Sequence, residues 1–153
     1  MAKNNIKIAL YQPDIPQNTA AIIRLCACLN TDLDIIEPTG FNINDKRFKR
    51  ISMDYTSYCK IKSYQNFEEF KKVKKNRRII LMTTKGKYKY HKFKFNNDDV
   101  ILFGRESSGV PEKIHQKVDQ KLLIPISKNT RSLNIVTAVA ISLSEALKQT
   151  SNF

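Results

Sequence analysis

The sequence predicts an α/β fold in which one parallel β-sheet is covered by helices on both faces. Segments typical of strands alternate with segments typical of helices along the chain, and this order favours parallel strands joined by helical connections. The apolar run Val100–Phe103 is typical of a strand buried inside such a sheet. The last helix is too apolar to be covered on one side only. We expect residues 1–153 to form a single domain.

The first part of the chain alternates strand, helix, strand and helix. Ile6–Tyr11 is an apolar strand, and Asn18–Leu29 is a helix that follows a turn bounded by prolines. Leu33–Glu37 is a strand that Pro38 ends. Asp45–Tyr55 is predicted to be a basic helix.

The middle of the chain continues the same alternation. Ile61–Tyr64 is a short strand, and Asn66 caps a helix that runs through Lys75. Arg77–Thr83 and Asp99–Phe103 are apolar and are predicted to be strands.

The last part of the chain contains two helices around one strand. Pro111–Val118 is a helix with proline in its first turn, Leu122–Ile126 is a strand, and Ser132–Gln149 is a long helix. Between strands, Lys87–Phe95 (KYKYHKFKF) alternates lysine with aromatic residues. This pattern favours an exposed edge strand, and the alternative is a surface whose rings stack on RNA bases.

The charge of the chain indicates a polyanionic partner. The net charge is +13, from 27 basic and 14 acidic residues, and nucleic acid is the first candidate. Lys, Asn and Ile are all abundant, and an A+T-rich genome would also produce this composition. The charge alone therefore does not decide whether the partner is a nucleic acid. The densest basic cluster lies in the second predicted helix, with Tyr55 and Tyr58 beside it as stacking partners. This basic cluster consists of Lys46, Arg47, Lys49 and Arg50. A solvated helix face is the alternative interpretation.

Composition also argues against membrane, secreted and metal-binding classes. No apolar run reaches the ~18 residues of a membrane helix. We expect no signal peptide and a cytoplasmic protein. The odd number of cysteines, Cys26, Cys28 and Cys59, favours free thiols in a reducing compartment. With a C-x-C spacing and only two histidines, no metal site is expected.

Three polar loops follow predicted strands and point to a ligand site. In open α/β sheets, ligands bind beyond the carboxyl ends of the strands. The loops begin at Met82, at Phe103 and at Ile124, and the third leads into Ser132 and Asn134. These last two residues are suited either to cap the following helix or to bind a ligand.

Arg24 is the one charge in an otherwise apolar helix. A guanidinium group in such a place needs a carboxylate, a phosphate or a route to water. Glu106, in the loop after Phe103, is the acidic partner that we expect. The alternative is that the Arg24 side chain extends to solvent at the edge of the helix.

Six blocks of sequence resemble the SPOUT superfamily of knotted methyltransferases, and within it the TrmL-type tRNA 2′-O-methyltransferases. The blocks occur in the family's order and cover nearly the whole chain. They are LYQPDIPQNTAAIIRLCA (10–27), IIEPTGF (35–41), DKRFKRISMDY (45–55), LMTTKG (81–86), LFGRESSGVP (102–111) and IPISKNTRSLNIVTAVAISLSEA (124–146). The resemblance implies S-adenosylmethionine as cofactor and methylation of the wobble nucleotide, position 34, in the anticodon loop of tRNA.

The resemblance also implies roles for particular residues. The family's motif asparagine and arginine correspond to Asn18 and Arg24, its glutamate to Glu106, and its Ser-x-Asn pair to Ser132 and Asn134. These five are the expected catalytic residues. The loops that hold the cofactor correspond to positions Met82, Gly104, Ile124 and Ser132.

The family's topology has a trefoil knot in which the segment after Leu122 threads an earlier loop. The chain departs from the family pattern at Ala20, Arg105 and Ser144, which replace a common glycine, proline and tyrosine. Arg105 offers an additional RNA contact, and Ser144 lacks an aromatic ring for a dimer or substrate contact.

Hypotheses about assembly, mechanism and alternative functions complete the sequence interpretation. We expect a homodimer, because the last helix has more apolar surface than one small domain can cover. Arg24 is expected to position and stabilise the developing oxyanion, since arginine stays protonated in proteins; the group that accepts the proton is left open. The alternatives are a knotted enzyme that acts on rRNA or another tRNA position, and a non-catalytic RNA-binding module of the same fold.

Overall fold

The computed structural model describes Met1 and residues 3–153, with the side chain of Met53 left out. Its strands are β1 (Lys7–Tyr11), β2 (Asp32–Ile36), β3 (Ile61–Tyr64), β4 (Ile79–Met82), β5 (Tyr88–Lys89), β6 (Val100–Phe103) and β7 (Gln120–Leu123). Its helices are α1 (Pro16–Cys28), α2 (Lys46–Thr56), α3 (Phe67–Val73), α4 (Glu112–His115) and α5 (Ile135–Gln149). The sheet order is β3-β2-β1-β6-β4-β7-β5, and every strand pairing described is parallel. The predicted α/β class is confirmed.

Helices cover both faces of the sheet because its strands carry apolar residues on both sides. In β4, Ile80 and Met82 belong to the core that α1, α2 and α5 cover. The intervening Ile79 and Leu81 belong to the second core, under α3 and α4. Successive side chains of a strand point to opposite faces, so a continuous apolar run requires cover on both.

Side-chain caps begin three of the helices. Asp45 accepts from the Arg47 N–H in α2, and Asn66 accepts from the Glu69 N–H in α3, which confirms the predicted cap. Asn134 caps α5 and therefore lies outside it. The prediction that the last helix begins at Ser132 was wrong by three residues for this reason.

The strand β7 lies between β4 and β5, although both precede it in the chain. Leu122 pairs with Met82 on one side and with Tyr88 on the other. The loop 83–87 joins β4 to β5, which flank β7 on its two sides. A Cβ atom on Gly86 would lie 2.5 Å from the carbonyl carbon of Leu122, so the two segments are in direct backbone contact. This strand order and contact agree with the knot that the resemblance implies, and β7 ends at Leu123 rather than at the predicted Ile126.

The lysine and aromatic segment 87–95 is an edge strand only at Tyr88–Lys89. A 3-10 turn follows, and the ring of Phe95 is buried. The ring of Phe93 packs against that of Phe95 at 5.1 Å and lies 5.0 Å from the Arg78 guanidinium carbon. The prediction of an exposed strand over the whole segment was wrong, because its last two rings turn towards the protein interior.

All three cysteines are free, as predicted, and Cys26 and Cys59 are buried. Within the described part of the chain, no helix has the length and apolar character needed to cross a membrane.

Candidate active site beyond the carboxyl ends of β4, β6 and β7

A cleft of about 520 Å³ lies beyond the carboxyl ends of β4, β6 and β7. The three predicted loops form its walls, so the expectation that they converge is confirmed. The start of α1 closes one side of the cleft. Its lining includes Asn18, Met82, Gly104, Glu106, Ile124, Ser132 and Asn134.

The loop after β6 closes on itself and presents its backbone to the cleft. Arg105 and Gly109 exchange two backbone hydrogen bonds of 3.1 and 2.8 Å. Gly109 has a φ of 67°, which glycine adopts at no steric cost. A Cβ atom on Gly104 would lie 2.6 Å from the Gly109 backbone, so no side chain fits there.

A chain of hydrogen bonds joins the polar residues of three separate segments. The Asn134 Nδ2 group donates to Asn18 Oδ1 at 3.5 Å, and the Asn18 Nδ2 group donates to Glu106 Oε1 at 3.5 Å. The other Glu106 oxygen, Oε2, accepts the Asp14 backbone N–H at 3.0 Å. Asn134 also caps α5 by accepting the Val136 N–H at 2.8 Å, which confirms the capping role considered for it, while ligand binding by this residue stays a prediction.

Sequence reasoning missed Asp14, which shares this network. The Ser107 hydroxyl donates to Asp14 Oδ2, and Arg105 Nε lies 3.5 Å from the same oxygen. The hydrogen bond with Glu106, followed by that with Ser107, holds the pKa of Asp14 below its usual value, although burial opposes this. The available signal was the position of Asp14, just past the end of the first strand.

The pKa of Glu106 shifts in the opposite direction to that of Asp14. Burial, followed by the neighbouring Asp14 carboxylate, raises the pKa of Glu106 above its ordinary value. His115 lies in the same cleft, and burial lowers its pKa. Perturbed groups that share a cleft are typical of catalytic sites.

Arg24 lies outside the cleft. Its side chain is exposed, and its guanidinium carbon lies 5.1 Å from the centre of the Tyr55 ring. It lies six positions after Asn18, which in a helix is about 9 Å along the axis and roughly 240° around it. The prediction that Glu106 pairs with Arg24 was wrong, because Glu106 is bound by Asp14 and Asn18 instead. The alternative, a side chain that reaches solvent, is correct for this chain by itself.

The four residues of the basic cluster are all exposed on α2. Beside them lies a groove of about 490 Å³ between α2 and the start of α1. Phe41, Phe48, Ile51 and the Arg47 side chain line this groove. A role of the cluster in RNA binding stays a prediction.

Comparison with known proteins identifies the family of this chain. Residues 5–144 match the SpoU rRNA Methylase family. The chain belongs to the SpoU rRNA methylase family. A tRNA (cytidine(34)-2′-O)-methyltransferase of Beijerinckia indica is 44% identical over 144 residues, which cover 93% of this chain and 90% of that relative. The predicted resemblance to knotted methyltransferases is confirmed.

Solved structures agree with this family. One, concerned with the 2-OH methylation of C/U34 on tRNA, superimposes with a TM-score of 0.90 and 31% identity, covering 95% of this chain and 96% of that one. An AdoMet-bound rRNA methyltransferase of Sinorhizobium meliloti has a TM-score of 0.86 at 21% identity, over 96% of this chain and 57% of that one. The second similarity concerns the fold alone.

Proposed function

We propose that the protein is an S-adenosylmethionine-dependent methyltransferase that modifies the ribose 2′-hydroxyl of nucleotide 34 in tRNA. The observation that carries this proposal is the convergence of Asn18, Glu106, Ser132 and Asn134, from three segments far apart in sequence, in one cleft. The tRNA (cytidine(34)-2′-O)-methyltransferase of Beijerinckia indica supports the choice of substrate. We also propose that residues 1–153 act as one domain and that the protein works in the cytoplasm, where tRNA is found.

The cleft fits S-adenosylmethionine in size and chemistry. Its volume of about 520 Å³ lies inside the usual ~300–1,000 Å³ of small-molecule sites. Ile124, Ile126 and Leu133 offer apolar contacts for an adenine ring, while Lys85 and the Gly104 loop offer polar groups for the amino-acid end. We therefore assign cofactor binding to the loops at Met82, Gly104, Ile124 and Ser132.

The residues of the chain mainly align the reacting groups. When bound, S-adenosylmethionine supplies a methyl group on a positively charged sulfur, which is already activated for transfer. The amides of Asn18 and Asn134 restrict each other through their hydrogen bond and are suited to orient the ribose. Holding two reactants in the attacking geometry lowers the activation barrier, by about 7–11 kcal/mol in the best cases.

A homodimer is part of the proposal. On α5, the side chains of Ile135, Val136 and Ile141 are only half-buried, and Leu133 just before the helix is 37% exposed. Ile15, at the start of α1, is 41% exposed. A second copy covering this surface would bury apolar area that stabilises association.

The homodimer also explains how an exposed Arg24 would take part in the reaction. Its guanidinium is exposed on α1 and is free of any ion pair among the residues that the structure describes. A second copy or bound RNA would cover this face of α1. Arg24 would then contribute electrostatic stabilisation of the developing oxyanion, and the basic cluster on α2 would hold the tRNA phosphates.

Methylation of tRNA in vitro tests the proposal. The purified protein is incubated with labelled S-adenosylmethionine and unmodified tRNA, and the product is mapped by mass spectrometry. We expect one methyl group on the ribose of nucleotide 34. A matched tRNA with a 2′-deoxyribose at that nucleotide should accept none. Methylation at another position, on rRNA, or on the base would contradict the proposed substrate.

A further inference from the structure

Asp14 is held firmly beside the cleft. After β1, the chain turns at Gln12, whose φ of 44° lies in the left-handed region. The Gly40 N–H donates to the Pro13 carbonyl oxygen at 2.8 Å. A Cβ atom on Gly40 would lie 2.6 Å from Asp14 Cβ, so the two segments are in close contact. Such contacts leave the Asp14 carboxyl group little freedom to move away from Glu106.

One oxygen of Asp14 lacks a donor. Oδ2 has Ser107 and Arg105 beside it, but Oδ1 is buried and has no hydrogen-bond partner within the described part of the chain. Glu106 Oε2 accepts the Asp14 backbone N–H at 3.0 Å, so the two carboxyl groups belong to residues in direct contact. Two ionised carboxylates cannot hydrogen-bond to each other, so a proton on Glu106 would supply the missing donor.

We propose that Glu106 accepts the proton of the ribose 2′-hydroxyl, and that Asp14 is a positioning residue that receives a hydrogen bond from protonated Glu106. This inference rests on the proposed methyl transfer. It assigns the one step for which the sequence left no candidate, since arginine stays protonated and cannot accept a proton.

The step balances in atoms and charge. The hydroxyl O–H bond breaks, and its proton goes to a Glu106 carboxylate oxygen. The ribose oxygen forms a bond to the methyl carbon as the carbon–sulfur bond breaks, and the electron pair of that bond stays on sulfur. A sulfonium cation and a carboxylate anion become a neutral thioether and a neutral carboxylic acid. The proton then passes from Glu106 to solvent when the product leaves.

The electrostatic surroundings agree with this role. Burial and the Asp14 carboxylate raise the pKa of Glu106, which makes it a stronger base than an ordinary carboxylate. Lys85, Arg105 and His115 are the other titratable groups that line the same cleft as Glu106. Of these, His115 has the lowest ordinary pKa, so a direct titration of Glu106 is needed beside the rate profile.

The test uses the Asp14→Asn variant and the pH dependence of the single-turnover methylation rate. An asparagine amide at this position can donate a hydrogen bond to Glu106, which favours the charged form of Glu106 and lowers its pKa. We expect the acidic limb of the rate profile to move to lower pH in Asp14→Asn. Asp98→Asn is the matched control, because Asp98 is an exposed carboxylate that lies outside the cleft, and its acidic limb should stay where it is in the parent. An Asp14→Asn profile that overlays the parent would overturn the role of Asp14.

Glu106→Gln and a direct titration complete the test. Glu106→Gln should lower the rate about 10²–10⁴-fold while S-adenosylmethionine binding, measured by calorimetry, is kept. A rate within a few-fold of the parent would exclude Glu106 as the proton acceptor.

NMR titration of the Glu106 carboxyl carbon, without cofactor or RNA, measures the effect of Asp14 on the pKa of Glu106 independently of activity. The titration midpoint should lie above that of an ordinary glutamate in the parent and should be lower in Asp14→Asn. Equal midpoints in the two proteins would overturn the proposed interaction of Asp14 with Glu106. A parent protein that methylates no RNA would instead overturn the proposed function.

Discussion

The Arg24→Ala variant distinguishes a catalytic role of Arg24 from a structural one. The side chain is exposed, and its guanidinium carbon lies 5.1 Å from the centre of the Tyr55 ring. An exposed cation–π contact contributes about 0.5–1 kcal/mol. The free energy of unfolding should therefore fall by no more than about 1 kcal/mol. If Arg24 acts in the transition state, the loss of one preorganised donor should lower the rate ~10²–10³-fold.

The assay is single-turnover methylation of tRNA at saturating cofactor, with thermal melts of the same preparations. Lys62→Ala is a matched control, because Lys62 is also exposed and its ammonium also lies 5.1 Å from a tyrosine ring, that of Tyr64. This variant should lose similar stability and keep the parent rate. Cofactor affinity should change little in Arg24→Ala, since Arg24 lies outside the cleft.

Arg24→Lys adds a second comparison. Lysine keeps the charge but cannot reproduce the planar fork of donors, so it should restore the rate only in part. A folded Arg24→Ala protein that methylates tRNA within a few-fold of the parent would remove Arg24 from the mechanism. It would also leave the Tyr55 contact as the sole function of this side chain that the structure describes.

Three further predictions concern the knot, the RNA surface and assembly. Gly86→Ala should cost about 1–3 kcal/mol of stability and weaken cofactor binding. The new Cβ atom would lie 2.5 Å from the Leu122 backbone, which cannot rotate away. A thermal melt equal to that of the parent would contradict this. Replacing the whole basic cluster by alanine should flatten the salt dependence of tRNA affinity, by about 0.7–0.9 in the slope of log K against log salt for each phosphate that the protein no longer neutralises; an unchanged slope would place the RNA elsewhere. Sedimentation at micromolar concentration should show a dimer, and a single species near 17.7 kDa would refute the homodimer.

Much of the fold could be predicted from the sequence because its signals are local. Apolar runs such as Val100–Phe103 and caps such as Asn66 act over a few residues, so the strands and helices were placed to within a few positions. The three loops of the cleft were predicted for the same reason, since each directly follows an apolar strand. The resemblance to knotted methyltransferases added the threading, which no local pattern contains.

The tertiary structure alone decided which side chains meet. Glu106 contacts Asp14, 92 positions away in the chain, because β1 and β6 are neighbours in the sheet and their ends lie side by side. Arg24 lies outside the cleft because of its angular position on α1, although its sequence surroundings suggested a partner there. The two rings at the end of segment 87–95 pack against each other, and one of them, Phe93, also contacts Arg78. Each of these outcomes depends on strand order and helix packing, which are set by contacts between residues far apart in sequence.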